Sequence, residues 1–291
     1  MAEGLRVAVT GGSGKLGRAV VNELLTHGFD VVNLDRVPPA ETRAAYVRVD
    51  LTDFGQVVEA LSGIDDKYSR VDAVVHLAAI PAPGQLANAA TFVHNATSTY
   101  HVFQAARVAG VRRIVWASSE TLLGLPFGPA NPPPYIPVDE EYPARPATAY
   151  SLAKHVEETM ADQFCRWDPG LTMVGLRFSN VMEPGDYARF PSFDADPTSR
   201  CWNLWGYIDA RDGAQAVRLA LSYPDPGLEI FVIANADTVM SRHSSDLAAE
   251  IFPDVPLTRG LGAHETLLSI DKARRLLGYE PAHTWRTVAG A

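Results

Sequence analysis

The sequence predicts an α/β fold, a Rossmann-type doubly wound parallel sheet with a small C-terminal substrate-binding cap. Three observations carry that expectation. Short apolar, β-branched runs alternate with helix-period segments through the first two thirds of the 291 residues, the pattern of a parallel sheet with crossover helices. Runs such as Val71-Asp-Ala-Val-Val-His76 are apolar almost throughout, as suits a strand covered on both faces. A glycine-rich turn, Thr10-Gly-Gly-Ser-Gly-Lys-Leu-Gly17, directly follows the first such run and opens the first helical one.

Taken in order, strands are expected at 5–10, 30–35, 46–49, 71–77, 113–117 and 172–177, with helices at 15–27, 54–61, 91–109 and 148–167. Gly28 and Gly110 sit just past two of these helices, as terminating glycines do. Residues 123–147 hold too many prolines for helix or interior strand and are expected to form a long loop. Residues 183–200, rich in Pro, Asp and Ser, read as a second irregular segment. Beyond it, helices at 209–222 and 241–251 flank a strand at 229–234, and a further helix ends before Gly278. The division this implies is a dinucleotide-binding domain over 1–177, with 178–291 completing the sheet and capping the substrate.

Composition narrows the function classes. With 47% hydrophobic and 20% charged residues the chain is globular. Thirty-four acidic against 25 basic side chains give a net charge of −9, a repelling average field for a nucleic-acid partner. Cys165 and Cys201 stand far apart without metal-ligand spacing, which argues against a metal site or a disulfide framework and fits a reducing cytoplasm. No apolar stretch approaches the roughly 20 residues of a membrane span. The strand-like start followed by glycines predicts no signal peptide, so a cytoplasmic location is expected.

Three motifs carry chemistry. In the glycine-rich turn, Gly11 permits the tight bend, Gly12 and Gly14 let backbone approach a pyrophosphate, and Gly17 lets helix pack on strand. The helix N-terminus adds N–H groups and positive potential for phosphates. Asp35 ends the second expected strand, where a carboxylate accepts hydrogen bonds from adenosine ribose hydroxyls. It favours NAD by repelling a 2′-phosphate, while Arg36 beside it can pair with one, so NADP stays open. The second motif is Tyr150-Ser-Leu-Ala-Lys154, whose Tyr and Lys lie one helical turn apart on one face. An ammonium beside a phenol favours the phenolate, which suits an acid/base near neutral pH. The third is Ala117-Ser118-Ser119-Glu120 at a strand exit, where a hydroxyl can hold a substrate oxygen against the tyrosine.

Together these residues resemble the extended short-chain dehydrogenase/reductase superfamily, the NAD(P)-dependent sugar epimerases, dehydratases and dehydrogenases. The likeness takes in Thr10–Gly17, Asp35, Asp50-Leu51, His76-Leu-Ala-Ala79, Asn95, Ser118-Ser119, and Tyr150 with Lys154. It continues through Arg177-Phe-Ser-Asn180, Tyr207-Ile-Asp-Ala-Arg-Asp212, Asp271-Lys-Ala-Arg and Leu-Gly-Tyr-Glu-Pro281. The resemblance implies Tyr150 as acid/base, Lys154 on the nicotinamide ribose, Ser119 on the substrate oxygen and Asn95 linked to the proton relay. Implied for the cofactor are Gly11, Gly12, Ser13, Gly14, Lys15, Leu16 and Gly17 at the phosphates. Asp35 and Arg36 would serve the ribose, Asp50 and Leu51 the adenine, with Leu77, Ala78 and Ala79 beside them. Ser118, Ser119, Glu120, Asn180 and Arg189 are the candidate substrate contacts.

Departures from the family pattern sharpen the expectation. Dehydratases resemble Thr-Asp-Glu where this chain has Ser119-Glu120-Thr121, so dehydration is disfavoured. The short stretch from Asn180 to Tyr207 weakens a nucleotide-sugar reading. The run Glu183-Pro-Gly-Asp-Tyr-Ala-Arg189 is similar to uronate dehydrogenases, in which an arginine near this position binds a carboxylate. The expected function is therefore an NAD(P)-dependent dehydrogenase of a free sugar or sugar acid, with a UDP-hexose-type 4-epimerase as the alternative. A cofactor-sensing protein without catalysis is a third reading, which Tyr150 and Lys154 oppose. A homodimer is expected through the helices at 91–109 and 148–167. Specificity is assigned to the loops at 80–90, 123–147 and 183–205. Their aromatic residues Phe127, Tyr135, Tyr187, Phe190 and Trp202 form either a sugar-stacking wall or cap packing.

Overall fold

The structure is a computed structural model and describes residues 4–41, 43–65 and 67–289. Seven strands form one parallel sheet: β1 (Arg6–Thr10), β2 (Asp30–Asp35), β3 (Ala45–Arg48), β4 (Ala73–His76), β5 (Arg113–Ser119), β6 (Thr172–Phe178) and β9 (Gly227–Ile233). Their spatial order is β3-β2-β1-β4-β5-β6-β9. The order reverses beside β1, which pairs Val7 with Val31 on one side and with Ala73 on the other. Chains leaving β1 and β4 diverge there and leave a crevice at the carboxyl edge.

Alternation along each strand explains the two cores. Val7, Val9 and Val31 point to one face and meet Val20 and Leu24 of α1 (Lys15–Thr26) and Val217 of α5 (Ala210–Ala220). Ala8, Val32, Val74 and Trp116 point to the other. They meet Val57 of α2 (Phe54–Ser62), Phe103 of α3 (Asn88–Val108) and Phe164 of α4 (Ala149–Trp167). The first core runs on into Trp205, Tyr207 and Trp285, so the C-terminal part shares its packing with the sheet.

A second, two-stranded parallel sheet pairs β7 (Val181–Met182) with β8 (Ile208–Asp209) and brackets the segment between them. The chain closes with α6 (Ser244–Ile251), α7 (Asp271–Leu277) and α8 (Trp285–Ala289). Among the described residues no helix is long and apolar enough to cross a membrane.

Two expectations are corrected. Residues 183–200 are not irregular: Pro184–Ala195 and Pro197–Asn203 wind into 3-10 turns. Each starts on a proline, and Asp196 caps the second by accepting from the Thr198 amide at 2.9 Å. Such turns need only local i+3 bonds and no apolar period, so periodicity misses them. The expected helix at 241–251 begins only at Ser244, because Ser241 is drawn off to Asp194, its N–H donating at 3.0 Å. The proline-rich 123–147 segment does form a loop after a short turn, yet it is anchored. Ile136 N–H donates to Pro256 O at 3.0 Å, Val138 N–H to Leu267 O at 2.9 Å, and both side chains are fully buried.

Candidate active site

A cleft of about 830 Å³ follows the carboxyl edge of the sheet from the end of β2, across the β1 and β4 exits, to the β5 and β6 exits. At its centre the glycine-rich turn shows why glycine is needed. Gly11 has φ +72°, and a Cβ there would lie 2.7 Å from Ala78 N; one on Gly17 would lie 2.0 Å from Gly11 O. Both obstacles are backbone, which cannot swing aside. Gly17→Ala is therefore expected to destabilise the fold by about 1–3 kcal/mol, read as a lower urea midpoint, because the added methyl forces α1 off β1.

Gly14 caps α1 without any side-chain bond, which leaves the first-turn N–H groups of the helix open toward the cleft lined by Lys15, Leu16 and Gly17. Gly12 and Ser13 do not line it. The missing Cβ of Gly12 makes room for the Asn33 side chain, 2.4 Å from where it would lie. Ser13 donates its N–H to Asp35 Oδ2 at 3.0 Å and its hydroxyl to Val37 O at 2.7 Å, tying the turn to the β2 exit. Asp35, so held, lines the cleft together with Arg36. Leu51, Leu77, Ala78 and Ala79 line it too. Asp50 does not: its carboxylate accepts from the Thr52 hydroxyl (2.7 Å) and N–H (2.9 Å), bonds that hold it below the usual carboxylate range.

At the inner end, Ser119, Glu120, Tyr150, Lys154 and Asn180 come together, brought by the exits of β5 and β6 and the start of α4. Thr148 caps that helix reciprocally with Ser151, which fixes the first turn that carries Tyr150. Lys154 Nζ lies 6.0 Å from the Tyr150 ring centroid and donates to Ala117 O at 2.8 Å. Burial raises the Tyr150 pKa, and Lys154 and Ser119 only partly offset it. The neighbouring ammonium thus does not by itself make a phenolate, contrary to the expectation from spacing alone. Glu120 is buried, accepts from Asn203 Nδ2 at 3.1 Å, leaves Oε2 without a partner among the described residues, and is pushed up to about 7 by desolvation. At that value it serves as either donor or acceptor near neutral pH.

Three candidates lie elsewhere than expected. The Ser118 hydroxyl borders the cleft but is committed to Glu158 Oε1 at 2.6 Å, inside a buried ion pair with Arg177. Asn95 clamps the backbone of Ile80, accepting from its N–H at 2.8 Å and donating to its carbonyl at 3.0 Å, so it shapes the loop after β4. Arg189 is outside the cleft, 66% exposed, and joins Lys15 on Asp186. A 3-10 turn places its side chain on the solvent side, which the irregular reading of this segment did not provide for. Of the loop aromatics only Trp202 lines the cleft; Phe127, Tyr187 and Phe190 are buried in the core and Tyr135 packs against it. Sequence reading left Trp202's place open and missed Glu157, which stands three residues after Lys154 and hydrogen-bonds to it. That i,i+3 spacing was a legible signal.

The profile of the NAD dependent epimerase/dehydratase family matches residues 7–234. The UDP-glucose 4-epimerase of Drosophila melanogaster is 28% identical over 223 residues, 69% of this chain and 59% of that protein. A solved short-chain dehydrogenase/reductase superfamily protein from Agrobacterium tumefaciens with bound NAD shares the fold with a TM-score of 0.72. Identity there is 24%, over 96% of this chain and 93% of that one. A mutated uronate dehydrogenase does so with a TM-score of 0.67 at 22% identity, over 98% of this chain and 84% of that one.

Proposed function

The chain belongs to the NAD dependent epimerase/dehydratase family, and from that premise we propose that it transfers a hydride between NAD and a hydroxyl-bearing carbon of a free sugar. The observation that carries the reading is the meeting of Ser119, Tyr150 and Lys154 at the inner end of the same cleft whose middle is the glycine turn. Open N–H groups at α1 fit a pyrophosphate, Asp35 fits ribose hydroxyls, and Lys154 has one donor left for the second ribose. When bound, the nicotinamide supplies the hydride acceptor. Tyr150 takes the proton of the sugar hydroxyl, Ser119 orients that oxygen, and Trp202 offers an apolar face to the ring.

Residues 178–291 are the proposed substrate cap. Arg189, the arginine expected to bind a substrate carboxylate, stands outside the cleft, which supports a neutral sugar over a sugar acid. A second reading, 4-epimerisation of a UDP-hexose, is favoured by the name of the Drosophila relative. Against it, Tyr187 and Phe190 fill the core with the segment that would otherwise open around a nucleotide. The proposed oligomer is a homodimer through α3 and α4, which expose Val93 and Trp167.

The deciding experiment follows reduced cofactor with NAD and NADP in parallel across aldoses, polyols, uronates and UDP-hexoses. Net NADH from neutral aldoses is expected; interconversion of UDP-hexoses without net NADH overturns the reading. Asp35→Ala is expected to weaken NAD binding about tenfold while sparing NADP, measured by calorimetric titration, because it removes a ribose acceptor and a charge that repels 2′-phosphate.

A further inference from the structure

Lys154 is held by a group that the proposed reaction does not use. Glu157 is fully buried, and its Oε2 accepts from Lys154 Nζ at 2.9 Å, while Lys154 itself is only 3% exposed. The second oxygen, Oε1, has no hydrogen-bond partner among the described residues, with the Thr99 side chain near the carboxyl. A carboxylate sealed from water with one oxygen unpartnered is costly to keep, and packing alone does not require it. The other two positions of the ammonium are Ala117 O, at 2.8 Å, and the cleft.

We propose that Glu157 is a positioning residue that anchors Lys154 and opposes its field at Tyr150, keeping the tyrosine a phenol in the cofactor-free enzyme. Two opposite charges 2.9 Å apart act on a third group as a dipole, so the lysine stabilises a phenolate less than a lone ammonium would. The inference rests on the reading of Tyr150 as the acid/base.

Among the described residues, none of the other charged and titratable groups facing this cluster hydrogen-bonds to Lys154. On α4, Glu158 is spent on Arg177 of β6 and on Ser118. At the β5 exit, Glu120, held by Asn203, acts on Tyr150 directly and in the same sense as Glu157, and it stays in place in the variants below. On β4, burial lowers His76 to about 3, so it is neutral between Thr10 at 2.7 Å and Thr99 at 3.0 Å; His94 of α3 borders the cleft beyond it.

The test is ultraviolet titration of tyrosinate in the cofactor-free protein, with the trace of a Tyr150→Phe version of each background subtracted to isolate Tyr150. Glu157→Gln keeps an acceptor for Lys154 and removes the charge. Glu157→Met, of similar length, removes both, and whichever variant melts in one cooperative transition is titrated. The expected result is a Tyr150 midpoint lower by about one pH unit, with the acid limb of kcat/KM moving the same way and KM for the sugar unchanged. A Tyr150 titration that superimposes on the wild type in a folded variant overturns the proposal. Because the titration needs no substrate, a shifted midpoint in a protein that oxidises no sugar leaves this inference standing and removes the proposed reaction instead.

Discussion

Replacing Tyr150 with phenylalanine is expected to lower kcat by about 10²–10⁴-fold while leaving NAD affinity within a factor of about two. The ring stays in its buried seat, so the fold and the cleft wall are kept, and only the phenolic oxygen, which as phenolate takes the sugar proton in the proposed reaction, is lost. The measurement is steady-state NADH formation paired with NAD titration. A loss smaller than about tenfold would remove Tyr150 from the acid/base role. The pH dependence follows with a definite sign. Burial raises the Tyr150 pKa, so in sugar oxidation the competent phenolate is the minor form at neutral pH, and kcat/KM increases as pH rises toward that value. A profile that falls from neutral to alkaline pH contradicts it.

Glu158→Leu is expected to cost about 3–5 kcal/mol of stability, read by urea unfolding. The Glu158 carboxylate receives Arg177 Nε at 3.0 Å and Nη2 at 2.9 Å, a bidentate pair, and the Ser118 hydroxyl at 2.6 Å, with both charged side chains buried. Losing the carboxylate leaves a guanidinium in the interior without a counter-charge. The size of the effect comes from that orphaned charge and not from the worth of the pair. The double variant Glu158→Leu with Arg177→Met is accordingly expected to recover most of the loss, since apolar replacements of a buried pair are near neutral. If the double variant is no more stable than the single one, the pair contributes through something other than charge compensation.

How much was legible beforehand can be argued from particular residues. The glycine turn, Asp35 and the pairing of Tyr150 with Lys154 were readable because each is a local arrangement: strand, turn and helix, or two positions one helical turn apart. The strands were readable for the same reason, their ends moving by one or two residues: backbone pairing stops inside the apolar run at β4 and extends beyond the expected ends at β5 and at the start of β9. The parts that resisted depend on contacts distant in sequence. The Ser118 hydroxyl is taken by Glu158, 40 positions away. The Asn95 amide closes on Ile80, 15 positions away.

The amino-acid sequence by itself determined the alternation of elements, the glycine turn and the placing of Tyr150 and Lys154 on one helix face, because period and spacing act over a few residues. Only the tertiary structure decided which side chains are free to act. It turned Arg189 to solvent beside Asp186, brought Trp202 and Glu120 to the cleft, and sealed Glu157 against Lys154. The physical reason is that desolvation and hydrogen-bond competition belong to the packed molecule. The same carboxylate is ordinary when exposed, raised toward neutral when buried at Glu120, and a counter-charge when buried at Glu157.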